Sequence, residues 1–222
     1  MVDAEALFEQ TRDICTRVEA DLGVERDFIF DLHKEPDWTF LVKLGAIVEA
    51  AVNQLILAGV EDQRLHETIG RLRLRGPDSK LALAKDLDLL TTPQRRFVEC
   101  VAQLRNSAVH DLRSFSLTLS GLLAAMPEQE EKQFWRDLLG VVVQEPGAAV
   151  RAGRVSDLAK FMIWLALSSF LDRLYWRKAV LTAEKEQEEF RRAHDAEMAT
   201  RLDSILDLLM PPTDDSVDGE HS

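Results

Sequence analysis

Arg105, Asn106, His110 and Arg113 fall within one predicted helix and carry the side chains of this sequence best suited to chemistry on a phosphate. Asn106 and His110 are four residues apart and Arg113 follows three later, so at about 100° per residue they share a polar strip with Glu99 and Gln103. An amide one turn before an imidazole can hold its ring and tautomer, and a guanidinium one turn after it can hold a phosphate oxygen. A neutral imidazole near pH 7 takes and returns a proton, and a fixed guanidinium stabilises the charge that builds up in phosphoryl transfer.

The helix that must position these groups is predicted to start at Thr91-Thr92-Pro93, a cap followed by a first-turn proline, and to wind through residues 94–123. Phe97, Val98, Val101, Leu104, Ala108, Leu112, Phe115, Leu119, Leu122 and Leu123 gather into one apolar sector, expected to be core. Arg105 sits at the edge of that sector beside Val98. Five residues span about 500°, so Arg105 and His110 point about 140° apart on a straight helix. Their meeting requires a kink or π-bulge, or a two-fold dimer that brings Arg105 of one chain to His110 of the other. Otherwise Arg105 snorkels or pairs with Asp111, and His110 is structural.

Net charge is −12, from 27 basic and 39 acidic residues, which argues against general nucleic-acid coating. The charge is unevenly placed. Residues 184–222 hold 12 acidic and 4 basic side chains, a net of −8, whereas residues 64–113 hold 10 basic and 6 acidic, a net of +4. Within that window Arg71, Arg73, Arg75, Lys80 and Arg113 are candidate phosphate or RNA contacts; the competing reading is a solvated helix face. Glu49, on the polar side of an earlier helix, is a candidate carboxylate partner for His110, and a solvated carboxylate otherwise.

Nearly every other segment also reads as helix, and no strand pattern or internal repeat is evident. Residues 3–22 place Leu7, Ile14, Val18 and Leu22 on one stripe ended by Gly23. A second helix follows Pro36 and runs from Asp37 to about Ala58, with Gly59 as its stop. Residues 61–74 predict a short Arg-rich helix ending at Gly76-Pro77, and Asp78 or Ser79 then caps a helix reaching Leu90. Pro127 starts a helix through Phe134, Trp135, Leu138 and Leu139. Glu145-Pro146-Gly147 breaks the chain, and Ser156-Asp157 caps a run to Met210. That run changes character midway, from apolar and aromatic over 158–180 to charged over 184–192, with Phe190, Met198, Leu202, Ile205 and Leu209 as a thin stripe. Such a stripe suits a partner helix or a fold back onto its own domain. The expectation is an N-terminal helix (1–35) on a bundle (36–183), a charged helical arm (184–210) and a disordered acidic tail (211–222).

The run Leu104-Arg105-Asn106-Ser107-Ala108-Val109-His110 resembles the Arg-Asn-x-x-x-His signature of HEPN domains, an all-helical family of nucleotide-binding modules. An apolar helix like Phe40–Glu49, a Lys-rooted helix like Lys80–Ala84 and then the signature helix recur in that order in HEPN-like proteins, including those similar to the mannitol operon repressor. The resemblance covers about residues 37–115, with Ser156–Val180 as a packing helix; residues 1–35 and 184–222 match nothing. It implies an all-α, HEPN-like helical bundle with a long C-terminal helical arm. It also implies metal-independent RNA cleavage in a cleft where two protomers bring two signatures together. Carried over by position, Arg105 neutralises phosphate charge, His110 is general base or acid, and Asn106 orients one of them. A homodimer, an RNA substrate and an antitoxin or other protein bound through the arm are the expected partners. The competing class is a non-catalytic regulatory or scaffolding module, which the acidic charge favours because it weakens polyanion binding.

No cofactor is expected. Gly-x-Gly-x-x-Gly, Walker-type and nucleophile-elbow motifs are missing, and His33-x-Glu35-x-Asp37 and His194-Asp195-x-Glu197 are poor metal sets. Cys15 and Cys100 cannot build a disulfide framework, and no basic-then-apolar leader opens the chain, so a reduced cytoplasmic setting is expected. The longest near-apolar stretch is read as Phe161–Leu171, shorter than the roughly 20 residues that cross a bilayer, so no membrane contact is expected.

Overall fold

The computed structural model describes residues 4–110, 118–142 and 158–209, and these are overwhelmingly helical, with no strand among them. Helix α1 (Ala4–Leu22) ends where Gly23 takes φ +69° and the Val24 amide returns to the Glu19 carbonyl at 3.0 Å, a left-handed stop that glycine allows. Its buried side is Thr11, Cys15, Val18 and Glu19; Ile14 and Leu22, expected at the centre of the apolar stripe, are only half-buried. Glu19 explains the rotation. Its carboxylate accepts the backbone amides of Asp27, Ile29 and Phe30 at 2.9, 2.7 and 3.2 Å, so the loop wraps around a buried acid and leads into a 3₁₀ turn at Phe30–Lys34.

Helix α2 (Asp37–Gly59) follows Pro36 and buries Phe40, Leu41, Leu44, Val48, Val52 and Leu55. It is long and apolar enough by length and composition to cross a bilayer, which corrects the reading of Phe161–Leu171 as the longest near-apolar stretch; just over half of its most apolar window is buried within the protein. A 3₁₀ turn at Gln63–Leu65 leads into α3 (His66–Arg71), which stops three residues short of its expected end. There the chain becomes extended. Half-buried Leu72 and Leu74 alternate with exposed Arg71, Arg73 and Arg75, and a bridge between Arg73 and Ser79 closes the loop.

Ser79 caps α4 (Lys80–Asp86), its hydroxyl accepting the Ala82 amide at 3.2 Å. This helix ends four residues before Leu90 because Asp88 adopts φ +52° and the Leu89 amide reaches back to the Ala84 carbonyl at 2.9 Å. An aspartate thus fills a stop position usually held by glycine.

Helix α5 (Thr92–His110) begins with one half of a capping box, the Gln94 side-chain oxygen accepting both the amide and the hydroxyl of Thr91 at 2.8 and 2.9 Å. The helix expected over 94–123 is two helices. Thr118 caps a separate α6 (Leu119–Ala124) by accepting the Gly121 amide; Leu112 and Phe115 lie outside the described residues. Helix α7 (Glu128–Leu139) buries Phe134, Trp135, Leu138 and Leu139, as expected from Pro127. The break at 145–147 and the cap at 156–157 lie outside the described residues.

The chain divides into two compact units, residues 1–179 and 180–222. Helix α8 is recorded over Ala159–Leu209. In the first unit its opening turns bury Ile163, Trp164, Leu167 and Phe170. The Trp164 indole donates to the Ile29 carbonyl at 3.0 Å, and the Phe170 ring lies 4.7 Å from that of Phe97 on α5, a contact worth about 0.5–1.5 kcal/mol beyond burial. α2 and α5 run antiparallel: Trp38 meets Ala108 and Gly45 meets Arg105, while Gly59 at the far end of α2 meets Leu89, just before α5 begins. In the second unit the described residues are helical. Phe190 (75% exposed), Met198, Leu202 and Ile205 stand open, and the His194 ring stacks on Phe190. The tail from 210 onward lies outside the described residues.

Candidate functional site on the fifth helix

Phe97, Val98, Val101, Leu104 and Ala108 are buried, which turns the opposite side of α5 outward. Glu99, Gln103 and Asn106 on that side line an open groove of about 680 Å³ against α7, with Arg75, Arg96 and Asp137 at its margins. Arg96 reaches Asp137 at 3.3 Å, so one of the two groove arginines is already paired. Cys100 lies at the floor. Burial, with Asp137 and Glu99 nearby and only Arg75 opposing, pushes its thiol up to about 12 and makes it a poor nucleophile.

Arg105 faces elsewhere. Its aliphatic stem lies on Gly45 of α2, so closely that a Cβ at Gly45 would fall 2.6 Å from Arg105 Cδ and 3.0 Å from Cγ. No carboxylate or carbonyl among the described residues pairs with its guanidinium, and the residue is half-buried. Asn106 is exposed in the groove, one residue on. His110 is the last residue of α5, and the placement of its side chain lies outside the described residues, as do Asp111 and Arg113. α5 is α-helical at every residue from Thr92 to His110, with no π-bulge along it to draw the two positions together. Positions 105 and 110 therefore lie on faces about 140° apart within one chain.

Two further elements hold the ends of this region. The Trp38 indole donates to the Ala108 carbonyl at 3.1 Å, in the last turn of α5. Asp37 accepts the Leu119 amide at 2.8 Å and lies 2.5 Å from Lys160, tying the starts of α2, α6 and α8 together. Burial raises the Asp37 carboxyl, but the hydrogen bonds from Lys160 and Leu119 and the lysine charge outweigh it and leave it below the ordinary range.

The basic window is split by the fold. Arg75 reaches the groove, and Arg73 is exposed on the extended loop. Arg71 is exposed but pairs with Glu67 one turn earlier. Lys80 is a correction. Its side chain is 5% exposed and its ammonium meets Glu49 at 2.9 Å, so it joins α4 to α2 instead of presenting to solvent. The same contact pairs Glu49 with Lys80, so Glu49 is not a free solvated carboxylate; its expected pairing with His110 falls on a side chain outside the described residues.

His33 Nδ1 bonds the Phe30 carbonyl at 2.9 Å, Glu35 holds Lys43 at 2.5 Å and Asp37 holds Lys160, so those three candidate metal ligands are committed separately. No group of three His, Cys, Asp or Glu gathers into a metal set among the described residues.

No family model, curated protein or solved structure matches the chain. Sequence patterns assigned no role to Gly45 or Trp38, yet both contact α5, at Arg105 and Ala108. The available signal was a glycine in the middle of an apolar helix, which costs about 1 kcal/mol against alanine and usually marks a close approach.

Proposed function

We propose that this chain is a HEPN-type, metal-independent endoribonuclease whose cleft forms between two copies. The observation that carries the reading is the Arg105 guanidinium, without a recorded partner among the described residues although its stem is locked against α2. An arginine held in this way is ready for a phosphate oxygen. Asn106, beside it in the open groove, is free to orient substrate or imidazole.

The 140° divergence on an unbroken helix makes the second copy necessary. Two exposed apolar positions support a self-association face near Arg105: Val109, one turn further on and 46% exposed, and Ala46, next to Gly45. In the composite cleft His110 takes the proton of a ribose 2′-hydroxyl, the 2′-oxygen bonds to phosphorus, and the bond from phosphorus to the 5′-oxygen breaks. His110 of the partner subunit, starting as the imidazolium, donates its proton to that oxygen, so one histidine ends protonated and the other neutral. The product is a 2′,3′-cyclic phosphate.

The test is incubation of mixed RNA with purified protein in chelator, comparing wild type with His110→Ala and Arg105→Ala. A ladder with cyclic phosphate ends from wild type alone is expected. Equal ladders from all three, or none from any, would discard the nuclease.

A non-catalytic scaffold is the second reading. Exposed Phe190, Met198, Leu202 and Ile205 in the second unit favour it, because an open apolar stripe on a helix suits a protein contact.

A further inference from the structure

At Gly45 the gap that receives a neighbouring side chain is in the helix itself. A mid-helix glycine is unfavourable unless something needs the space, and Arg105 takes it: its Cβ, Cγ and Cδ all lie within 3.1 Å of where a Cβ would stand. The stem cannot move aside without leaving the α2–α5 seam, where Leu44 and Val48 on one helix and Val101 and Leu104 on the other are fully buried. Only the guanidinium is left to project. We propose that Gly45 is a positioning residue, a notch that seats the Arg105 stem and presets its guanidinium for the phosphate of an RNA strand. This rests on the nuclease reading for the identity of the ligand, while the seat itself does not depend on it.

The seat predicts a reversal of sign. In the natural chain Gly45→Ala drives a methyl into the arginine and lowers the urea midpoint of unfolding. In an Arg105→Ala background the same methyl fills vacated space and favours helix, so the midpoint rises. The second readout is binding of a 2′-O-methyl RNA, which cannot be cleaved, across a salt series. Gly45→Ala is expected to weaken binding about tenfold and flatten the slope of log affinity against log salt by about one, as Arg105→Ala does, with no further loss in the double variant.

Should Gly45→Ala alone fail to fold while the double variant folds, the coupling is demonstrated in its extreme form. Midpoint changes of the same sign and size in both backgrounds would overturn the seat. Coupled midpoints with RNA binding unchanged in every variant would overturn the phosphate role of the seat. Cleavage by His110→Ala, by contrast, bears only on the nuclease reading, so the two failures are separable.

Discussion

The Trp38 indole and the Ala108 carbonyl, 70 residues apart, are joined by a 3.1 Å hydrogen bond that pins the last turn of α5 to the first turn of α2. Trp38→Phe keeps the ring in place and removes the donor. Stability is expected to fall by about 0.5–1.5 kcal/mol in urea titrations, and amide exchange near residues 106–110 should quicken. An unchanged exchange rate there would show that the turn is held by other contacts.

Lys80 and Glu49 should behave as a pair. Glu49→Leu strands a buried ammonium and is expected to cost about 2–3 kcal/mol, less than for a sealed pair because Glu49 is about a third exposed. Lys80→Met together with Glu49→Leu should recover most of that loss, and a double-mutant cycle by chemical unfolding reads the difference.

Glu19 gathers three amides at the end of α1. Glu19→Ala leaves those donors without an acceptor in a site that is 2% exposed, for an expected loss of about 3 kcal/mol or more. Glu19→Gln retains one oxygen and should lose clearly less. Equal midpoints for both variants would refute the amide-gathering role.

Asp37 sets a pH dependence of definite sign. Its folded carboxyl lies below the ordinary value of 3.8, so its contribution is present above that value and drains away as pH falls through the folded one. Asp37→Asn should flatten the acid limb of a midpoint-against-pH curve, while leaving its neutral limb parallel to that of the natural chain.

Both thiols should resist alkylation in the folded protein. Burial pushes Cys15 and Cys100 up to about 12; at Cys15 it outweighs the opposing Ser168 hydrogen bond, and the Glu19 and Asp27 charges add smaller contributions in the same direction as burial. At pH 8 iodoacetamide is expected to label neither until denaturant is added, and then to label both. Mass spectrometry counts the adducts.

Residue type and spacing alone determined the all-helical class, the starts of α2, α5 and α7, and the gathering of Glu99, Gln103 and Asn106 on one side of α5. These are local: caps, prolines and a 3.6-residue period act within a few residues of chain. The tertiary structure decided what depends on residues far apart. A buried acid at Glu19 rotated α1, Asp88 ended α4 in a conformation its side chain gives little sign of, and Lys80 went to Glu49 because α4 lies against α2. It also turned Arg105 toward Gly45 while Asn106 opened onto the groove. No spacing rule encodes that separation, because a helix's period sets the angle between two side chains but not which neighbouring helix each will meet.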